Sequence, residues 1–227
     1  MKQVLLVTAT KTKTLEEFQQ RPLAKSLQVL SDIRYPNDTL FDFEIVKDNS
    51  AGLPEVYNRY LTEKNKDKLL LFVHDDAFIE DLYLVEKLNE SPFDVTVLAG
   101  AQEFNKQAPK LAWHLAARRE TLRGEVAHTK DGKVFTTVFG PVTDRVVTFD
   151  GVFIAVNVER ALKTNTRFVE VPELSFHFYD IAFSLECYKN KLTAGVLPIR
   201  IIHHGLGDSM LTPQWETANN KFRELYC

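Results

Sequence analysis

Three short acidic and imidazole-bearing stretches carry the residue types that do chemistry. The first is His74-Asp75-Asp76, which ends the unbroken apolar run Leu69 to Val73. Adjacent carboxylates repel one another unless a cation or a basic partner lies between them. With water, such a pair suits a hard divalent ion, Mg²⁺ or Mn²⁺. The competing expectation is that Asp75 and Asp76 cap a following helix, a position that Asp favours. The second stretch is Phe176-His-Phe-Tyr-Asp180. Its carboxylate stands among aromatics, where desolvation raises a pKa and makes a base. The same carboxylate would also favour the dipole of the helical pattern that follows it. The third is His203-His204, delivered by the apolar stretch Gly195 to Ile202 and followed by Gly205-Leu-Gly-Asp208. A histidine pair of this kind is either structural or metal-binding.

The elements that must position these groups follow from the hydrophobic pattern. Five consecutive apolar residues without polar alternation read as a strand buried on both faces, and ligands gather at the C-terminal edge of such strands in open α/β sheets. Val4 to Val7 reads as a first, central strand with the polar run Thr8-Ala-Thr-Lys-Thr12 at its end, either a nucleotide-holding loop or an ordinary connection. Leu15 to Leu30 is helical in parts, interrupted by Pro22. Phe41, Phe43 and Ile45 alternate with charged residues as a strand, ending in Lys47-Asp-Asn-Ser50. Pro54 stands near the start of a helix carrying Val56 and Tyr57, and Leu82 to Leu88 supplies another. Val95 to Ala99 reads as one further buried strand.

This strand–helix alternation predicts a mostly parallel sheet with helices on both faces. Gly100 to His128, with Trp113-His114 and Arg118, Arg119 and Arg123, reads as loop or irregular helix. Lys133 to Phe139 and Arg145 to Phe149 read as a hairpin joined by Gly140-Pro-Val-Thr-Asp144. Asp150-Gly151 turns the chain into the strand Val152 to Val156. Gly195 to Ile202 reads as a single last strand, and Trp215, Ala218, Phe222 and Leu225 keep the spacing of a terminal helix.

Composition narrows the classes. A length of 227 residues suits a single domain with a sizeable core, and 44% hydrophobic with 26% charged residues is ordinary for a globular chain. A net charge of −3 advertises neither nucleic acid nor an anionic membrane as a partner. Cys187 and Cys227 give no zinc spacing and no disulfide framework, which points to a reducing compartment. The first residues read as a strand rather than a signal peptide, and no stretch has the length of a transmembrane segment. Neither GxGxxG nor GxxxxGK[ST] occurs.

In order along the chain stand Asn49-Ser-Ala-Gly-Leu-Pro-Glu-Val-Tyr-Asn58, Phe72-Val-His-Asp-Asp76, Phe149-Asp-Gly-Val-Phe153, Phe176-His-Phe-Tyr-Asp180 and Ile202-His-His-Gly-Leu-Gly207. This series resembles the compact, family-2-like glycosyltransferases of the GT-A type, particularly the short group related to the streptomycin-cluster protein, over nearly the whole chain. The resemblance implies one α/β GT-A domain over 1–227, with a nucleotide-binding half (1–100) and an acceptor half with the C-terminal helix (101–227). It implies Asp76 as metal ligand, with His74 standing where the usual Asp-x-Asp has its first acid. His204 becomes the second ligand, with His203 as rival, and Mn²⁺ or Mg²⁺ the ion. Asp180 becomes the catalytic base of an inverting reaction. Thr8 and Ala9, with Asp48 and Asn49, become the nucleoside pocket. Asp75 falls near the ribose or sugar, and Asp150 and Gly151 near donor sugar and acceptor. Trp113 either stacks on an acceptor sugar or packs.

The partners so implied are a nucleotide-sugar donor, a UDP-sugar first, and a glycan or lipid-linked acceptor. The setting so implied is cell-surface polysaccharide assembly, from a cytoplasmic location with peripheral contact at the inner membrane face. A non-catalytic nucleotide-sugar or glycan-binding module with a degenerate metal site is the alternative that His74 suggests. A nucleotidyltransferase is disfavoured because Thr8 to Thr12 has no glycine. The expectation requires Asp76, Asp180 and His204 to meet around one cavity.

Overall fold

The computed structural model describes residues 1–35, 39–205 and 212–227. Its spine is a seven-stranded sheet. Strands β1 (Val4–Ala9), β2 (Phe41–Val46) and β3 (Leu69–Val73) lie parallel in the order β2-β1-β3. The sheet then continues through strands from further along the chain. These come from β4 (Ala77–Ile79), β5 (Val95–Val97), β6 (Ala99–Ala101), β7 (Leu122–Lys130), β8 (Lys133–Val138), β9 (Asp144–Val146), β10 (Thr148–Phe149), β11 (Phe153–Asn157), β12 (Ala194–Val196) and β13 (Ile201–His203). The full order is β2-β1-β3-β11-β5-β12-β9, and only β11 and β9 run against the others. The sheet is therefore mostly parallel in direction, with β11 inserted antiparallel at its centre.

The central strands explain the unbroken apolar run. Every residue of β3 is buried. Leu69, Leu71 and Val73 join one core cluster with Val4 and Leu6, while Leu70 and Phe72 join a second with Leu5 and Val7. Successive side chains leave a strand on opposite faces, so a strand covered on both sides cannot alternate polar with apolar. On one face Tyr57, from the helix Leu53–Asn58, stacks on Phe72 at 4.2 Å between ring centres. On the other, Leu23 and Leu27 of the helix Pro22–Val29 are buried in the first cluster. Pro22 opens that helix, where its missing N–H costs nothing, and so separates it from Leu15–Phe18.

A second sheet, β10-β6-β7-β13-β4, lies at the C-terminal end of β3, with β8 paired to β7. Here the sequence expectations need correcting. The hairpin is β7–β8, not the two runs flanking Gly140 to Asp144. Its turn is Asp131-Gly132, both at positive φ (51° and 72°), the conformation a tight two-residue hairpin demands. The segment expected as loop or irregular helix thus supplies β7 over Leu122–Lys130. The single strand expected at Val95 to Ala99 divides at Leu98 into β5 and β6, in different sheets. The single last strand likewise divides into β12 and β13 around Pro198, which has no N–H to give a ladder.

Among the described residues, no helix is long and apolar enough to cross a membrane. The terminal helix Pro213–Tyr226 buries Trp215, Ala218 and Phe222 and leaves Leu225 exposed. The Gly205-Leu-Gly-Asp208 motif lies outside the described residues from 206 onward.

Candidate active site

Strand register creates the site. After β3 the chain turns through His74, Asp75 and Asp76 and enters β4, with the Ala77 N–H donating to the His74 carbonyl at 3.2 Å. Neither aspartate caps a helix. β4 pairs antiparallel with β13, which sets His203 opposite Ala77 and therefore beside Asp76. The His204 N–H donates to the Asp76 carbonyl at 2.9 Å, but the His204 side chain is exposed. The group that forms is His74, Asp76 and His203, each offering one ligand atom within 4.8 Å of the others. The structure thus brings His203, rather than the first-named His204, to Asp76. It also places His74 inside the donor set instead of leaving it as a departure from an acidic motif.

The electrostatics of the group are set by its neighbours. Burial works against ionising Asp76, but the His203 imidazole beside it, helped by the charges of His74 and Arg21, holds its carboxyl down at about 2. Burial likewise opposes protonation of His203, and Asp76 outweighs it, so the pKa of His203 is raised. Burial lowers the pKa of His74. Asp76 Oδ1 lies 3.4 Å from His203 Nε2 and is buried without a hydrogen-bond partner of normal geometry. A buried carboxylate oxygen without a partner, in a group with two imidazoles, is a fitting place for a divalent cation.

A further contact fixes His74. Its Nε2 lies 2.7 Å from the Tyr179 hydroxyl, which itself donates to the Gly151 carbonyl at 3.0 Å. Burial first, then nearby negative charge, raises the Tyr179 pKa, so the phenol keeps its one proton. With that proton committed to Gly151, Nε2 of His74 must be the donor, leaving Nδ1 with a free lone pair.

Two cavities meet at His74. One, about 400 Å³, is lined by Ala9, Thr10, Lys11, Arg21, Asn49, Asp75 and Asp76 among others. Here Asp75 is held on both oxygens, by Thr10 Oγ1 at 2.6 Å and by Arg21 at 2.8 Å. Arg21 is placed by the helix behind it, whose Leu23 N–H donates to the Asp75 carbonyl at 3.2 Å. Its Nε is buried with no partner.

The other cavity, about 380 Å³, is lined by Asp150, Gly151, Asp180, His203 and a set of aromatic side chains. Asp150 accepts from Trp113 Nε1 at 3.1 Å and from the Val152 N–H at 2.9 Å. Asp180 accepts from the Ile181 N–H at 2.9 Å, in the first turn of the helix Tyr179–Lys189. Burial, and secondly the charge of Asp150, push the Asp180 carboxyl up to about 7. Gly151 lets the turn pack onto this helix, since a Cβ there would stand 2.3 Å from the Tyr179 hydroxyl and 3.0 Å from Asp180 Cβ. The residue leading into the helix, Phe178, sits in the left-handed region at φ 62°. For a bulky side chain that is a strained conformation, of a kind that collects at functional sites. Phe178 is pinned by ring contacts to Trp215 and Phe222 of the terminal helix, at 5.2 and 5.3 Å.

Of the residues named from sequence, Ala9, Asn49, Asp75 and Asp76 line the first cavity, and Asp150, Gly151 and Asp180 the second. Thr8, Asp48 and His204 line neither. Thr8 is fully buried in the sheet, and Asp48 is an exposed turn residue at positive φ. Arg21 and Tyr179 are not named individually from sequence, and Thr10 enters only within the Thr8 to Thr12 run. The only sequence signal for Tyr179 was its place inside the Phe176 to Asp180 stretch.

No protein-family model and no curated protein matches this chain. Among solved structures it is similar to S. aureus TarS 1–349 in complex with UDP-GlcNAc, with a TM-score of 0.51 and 14% identity. That likeness covers 90% of this chain and 59% of the TarS chain, so this chain spans less than two thirds of the TarS fragment. It is also similar to A197 from STIV, with a TM-score of 0.45 and 15% identity, covering 86% of this chain and 81% of that one. The likeness to TarS shows the fold, a mixed α/β arrangement of the GT-A type, in agreement with the class expected from the sequence.

Proposed function

We propose that this chain is a glycosyltransferase that moves a sugar from a nucleotide-diphosphate donor, a UDP-sugar first, to an acceptor hydroxyl with inversion at the anomeric carbon. The observation that carries this reading is the meeting of two cavities at His74, with the three-residue donor set at their border and Asp180 in the wall of the second. Lys11 and Arg21 give the first cavity the cationic groups that a diphosphate needs, and Arg21 Nε still has a hydrogen bond to give. Ala9 and Asn49 fall to the nucleoside, and Asp75 to the ribose or sugar.

His74, Asp76 and His203 are the residues that would hold a divalent cation. Two imidazoles beside one carboxylate favour Mn²⁺ over Mg²⁺, which prefers oxygen ligands. Such an ion supplies Lewis-acid stabilisation of the charge that develops on the leaving diphosphate.

In the second cavity an acceptor hydroxyl lends its oxygen to the anomeric carbon as the bond to the diphosphate oxygen breaks. Asp180 takes the hydroxyl proton. A carboxyl near 7 is matched to that task around neutral pH, ionised enough to accept yet basic enough to pull. Asp150 and Gly151 border the same space, Asp150 holding the Trp113 indole at its edge. The acceptor, a glycan or a lipid-linked sugar, and a place in cell-surface polysaccharide synthesis at the cytoplasmic membrane face, belong to this proposal by analogy of fold. The alternative of a binding module with a degenerate metal site loses its motive once His74 is counted as a donor.

The test is product formation. Wild-type protein incubated with Mn²⁺, a panel of UDP- and other nucleotide-sugars and simple glycoside acceptors should release nucleoside diphosphate with matching glycosylated product by mass spectrometry. Nucleotide-sugars that bind yet yield neither transfer nor hydrolysis with any acceptor would favour the binding module instead.

A further inference from the structure

The two cavities that meet at His74 differ in charge. The first sets Lys11 and Arg21 beside Asp75 and Asp76. Among the described residues no lysine or arginine lines the second, and residues 36–38 and 206–211 contain neither. Its ionisable acids are Asp150 and Asp180. Into the same space project five of the chain's six histidines, all but His204, and both of its tryptophans, Trp113 and Trp215.

We propose that the second cavity receives its acceptor as a neutral, polyhydroxylated sugar ring and rejects sugars that carry a phosphate or carboxylate on that ring. The proposal rests on the transferase reading for the word acceptor. The physical case is separate. An anion brought into this space would meet the acids Asp150 and Asp180 and no lysine or arginine, and an uncompensated buried charge is costly. A neutral sugar meets no such penalty. Burial lowers the pKa of His114 and of His177, which favours neutral imidazoles there. Each neutral imidazole offers one donor and one acceptor, the pairing that a ring hydroxyl can answer. Trp113 is fixed by its bond to Asp150 and by edge contact with Phe139 at 4.9 Å, giving a rigid aromatic wall. Phe176 lines both cavities and is 49% exposed, an apolar surface placed where the two spaces join. A divalent cation held by His74, Asp76 and His203 would take its anionic partner from the cavity that carries Lys11 and Arg21.

Both tryptophans line this cavity, so intrinsic tryptophan emission reports its occupancy. Wild-type protein is titrated with methyl glucoside, methyl galactoside, methyl mannoside and methyl N-acetylglucosaminide, and with the 6-phosphate and uronic-acid counterpart of each that binds. Calorimetry repeats the same pairs. The expected result is a saturable response to at least one neutral glycoside, at least about tenfold stronger binding than its anionic counterparts, and a narrower gap in Asp150→Asn. An anionic counterpart binding as tightly as the neutral sugar, or no saturable response to any neutral glycoside by either method, would overturn the inference. UDP-sugar binding measured alongside separates the two claims. If donors bind and the neutral sugars do not, this inference fails alone. If the neutral sugars bind with the stated preference and no nucleotide-sugar does, the charge preference stands and the transferase reading falls.

Discussion

The Tyr179 hydroxyl lies 2.7 Å from Nε2 of His74 and gives its own proton to the Gly151 carbonyl. Tyr179 therefore decides which nitrogen of His74 is free to bind a metal. Partners that orient a ligating histidine are worth about 10- to 100-fold in metal affinity. Tyr179→Phe should weaken Mn²⁺ binding by that order in calorimetry, with circular dichroism unchanged. Unaltered affinity would remove Tyr179 from the account.

The choice between adjacent histidines is open to a direct comparison. His203 belongs to the donor set and the His204 side chain is exposed. His203→Ala and Asp76→Asn should each abolish the thermal stabilisation that Mn²⁺ confers, because only the native state has the site assembled. His204→Ala should keep it. The opposite pattern would restore the assignment first made from sequence.

Asp180 makes a prediction in pH. A base held at about 7 is protonated below that value, so kcat/KM should rise as pH increases through about 7 and level off above it. Asp180→Asn should lose about 10²- to 10⁴-fold in transfer while still binding nucleotide-sugar. Stability moves the other way. The folded pKa lies above the ordinary 3.8, so the native state holds the proton more tightly than the unfolded chain between those values, and stability falls as pH rises across that window. Asp180→Asn should therefore raise Tm most above pH 7 and have no such effect below pH 4. A pH-independent Tm difference would contradict the shift.

Gly151 joins the turn to the helix that bears Tyr179 and Asp180. Gly151→Ala puts a methyl against the Tyr179 ring, where Cζ would be 2.7 Å away. Overpacking of this sort costs about 1–3 kcal/mol. Urea denaturation should show that loss, together with reduced Mn²⁺ affinity because Tyr179 is displaced from His74. A variant with wild-type stability and affinity would show that the contact yields freely.

The sequence made some of this legible and hid the rest for physical reasons. Leu69 to Val73 announced a strand covered on both faces because burial on both sides erases alternation. Asp76 stands out as a carboxylate just past an apolar run and Asp180 as one among aromatics, whereas Asp150 is marked only by the family resemblance. Which of His203 and His204 turns inward was not readable, because it depends on the pairing of β13 with β4, and a one-residue slip exchanges the two faces. The histidines of the second cavity arrive from separate segments, and local spacing cannot show that they converge. The hairpin turns at Asp131-Gly132, a two-residue turn signal, whereas Gly140-Pro141 only connects strands that do not pair with each other.

The transferase reading stands on a divalent cation that His74, Asp76 and His203 would hold between a nucleotide cavity and an acceptor cavity. Crystals soaked with Mn²⁺ and UDP test it most directly, by anomalous scattering at the manganese edge. A manganese peak is expected within bonding distance of those three side chains, with the UDP diphosphate beside it and the nucleoside in the cavity of Ala9, Arg21 and Asn49. Manganese bound elsewhere, or UDP lodged against Asp150 and Asp180 instead, would contradict it.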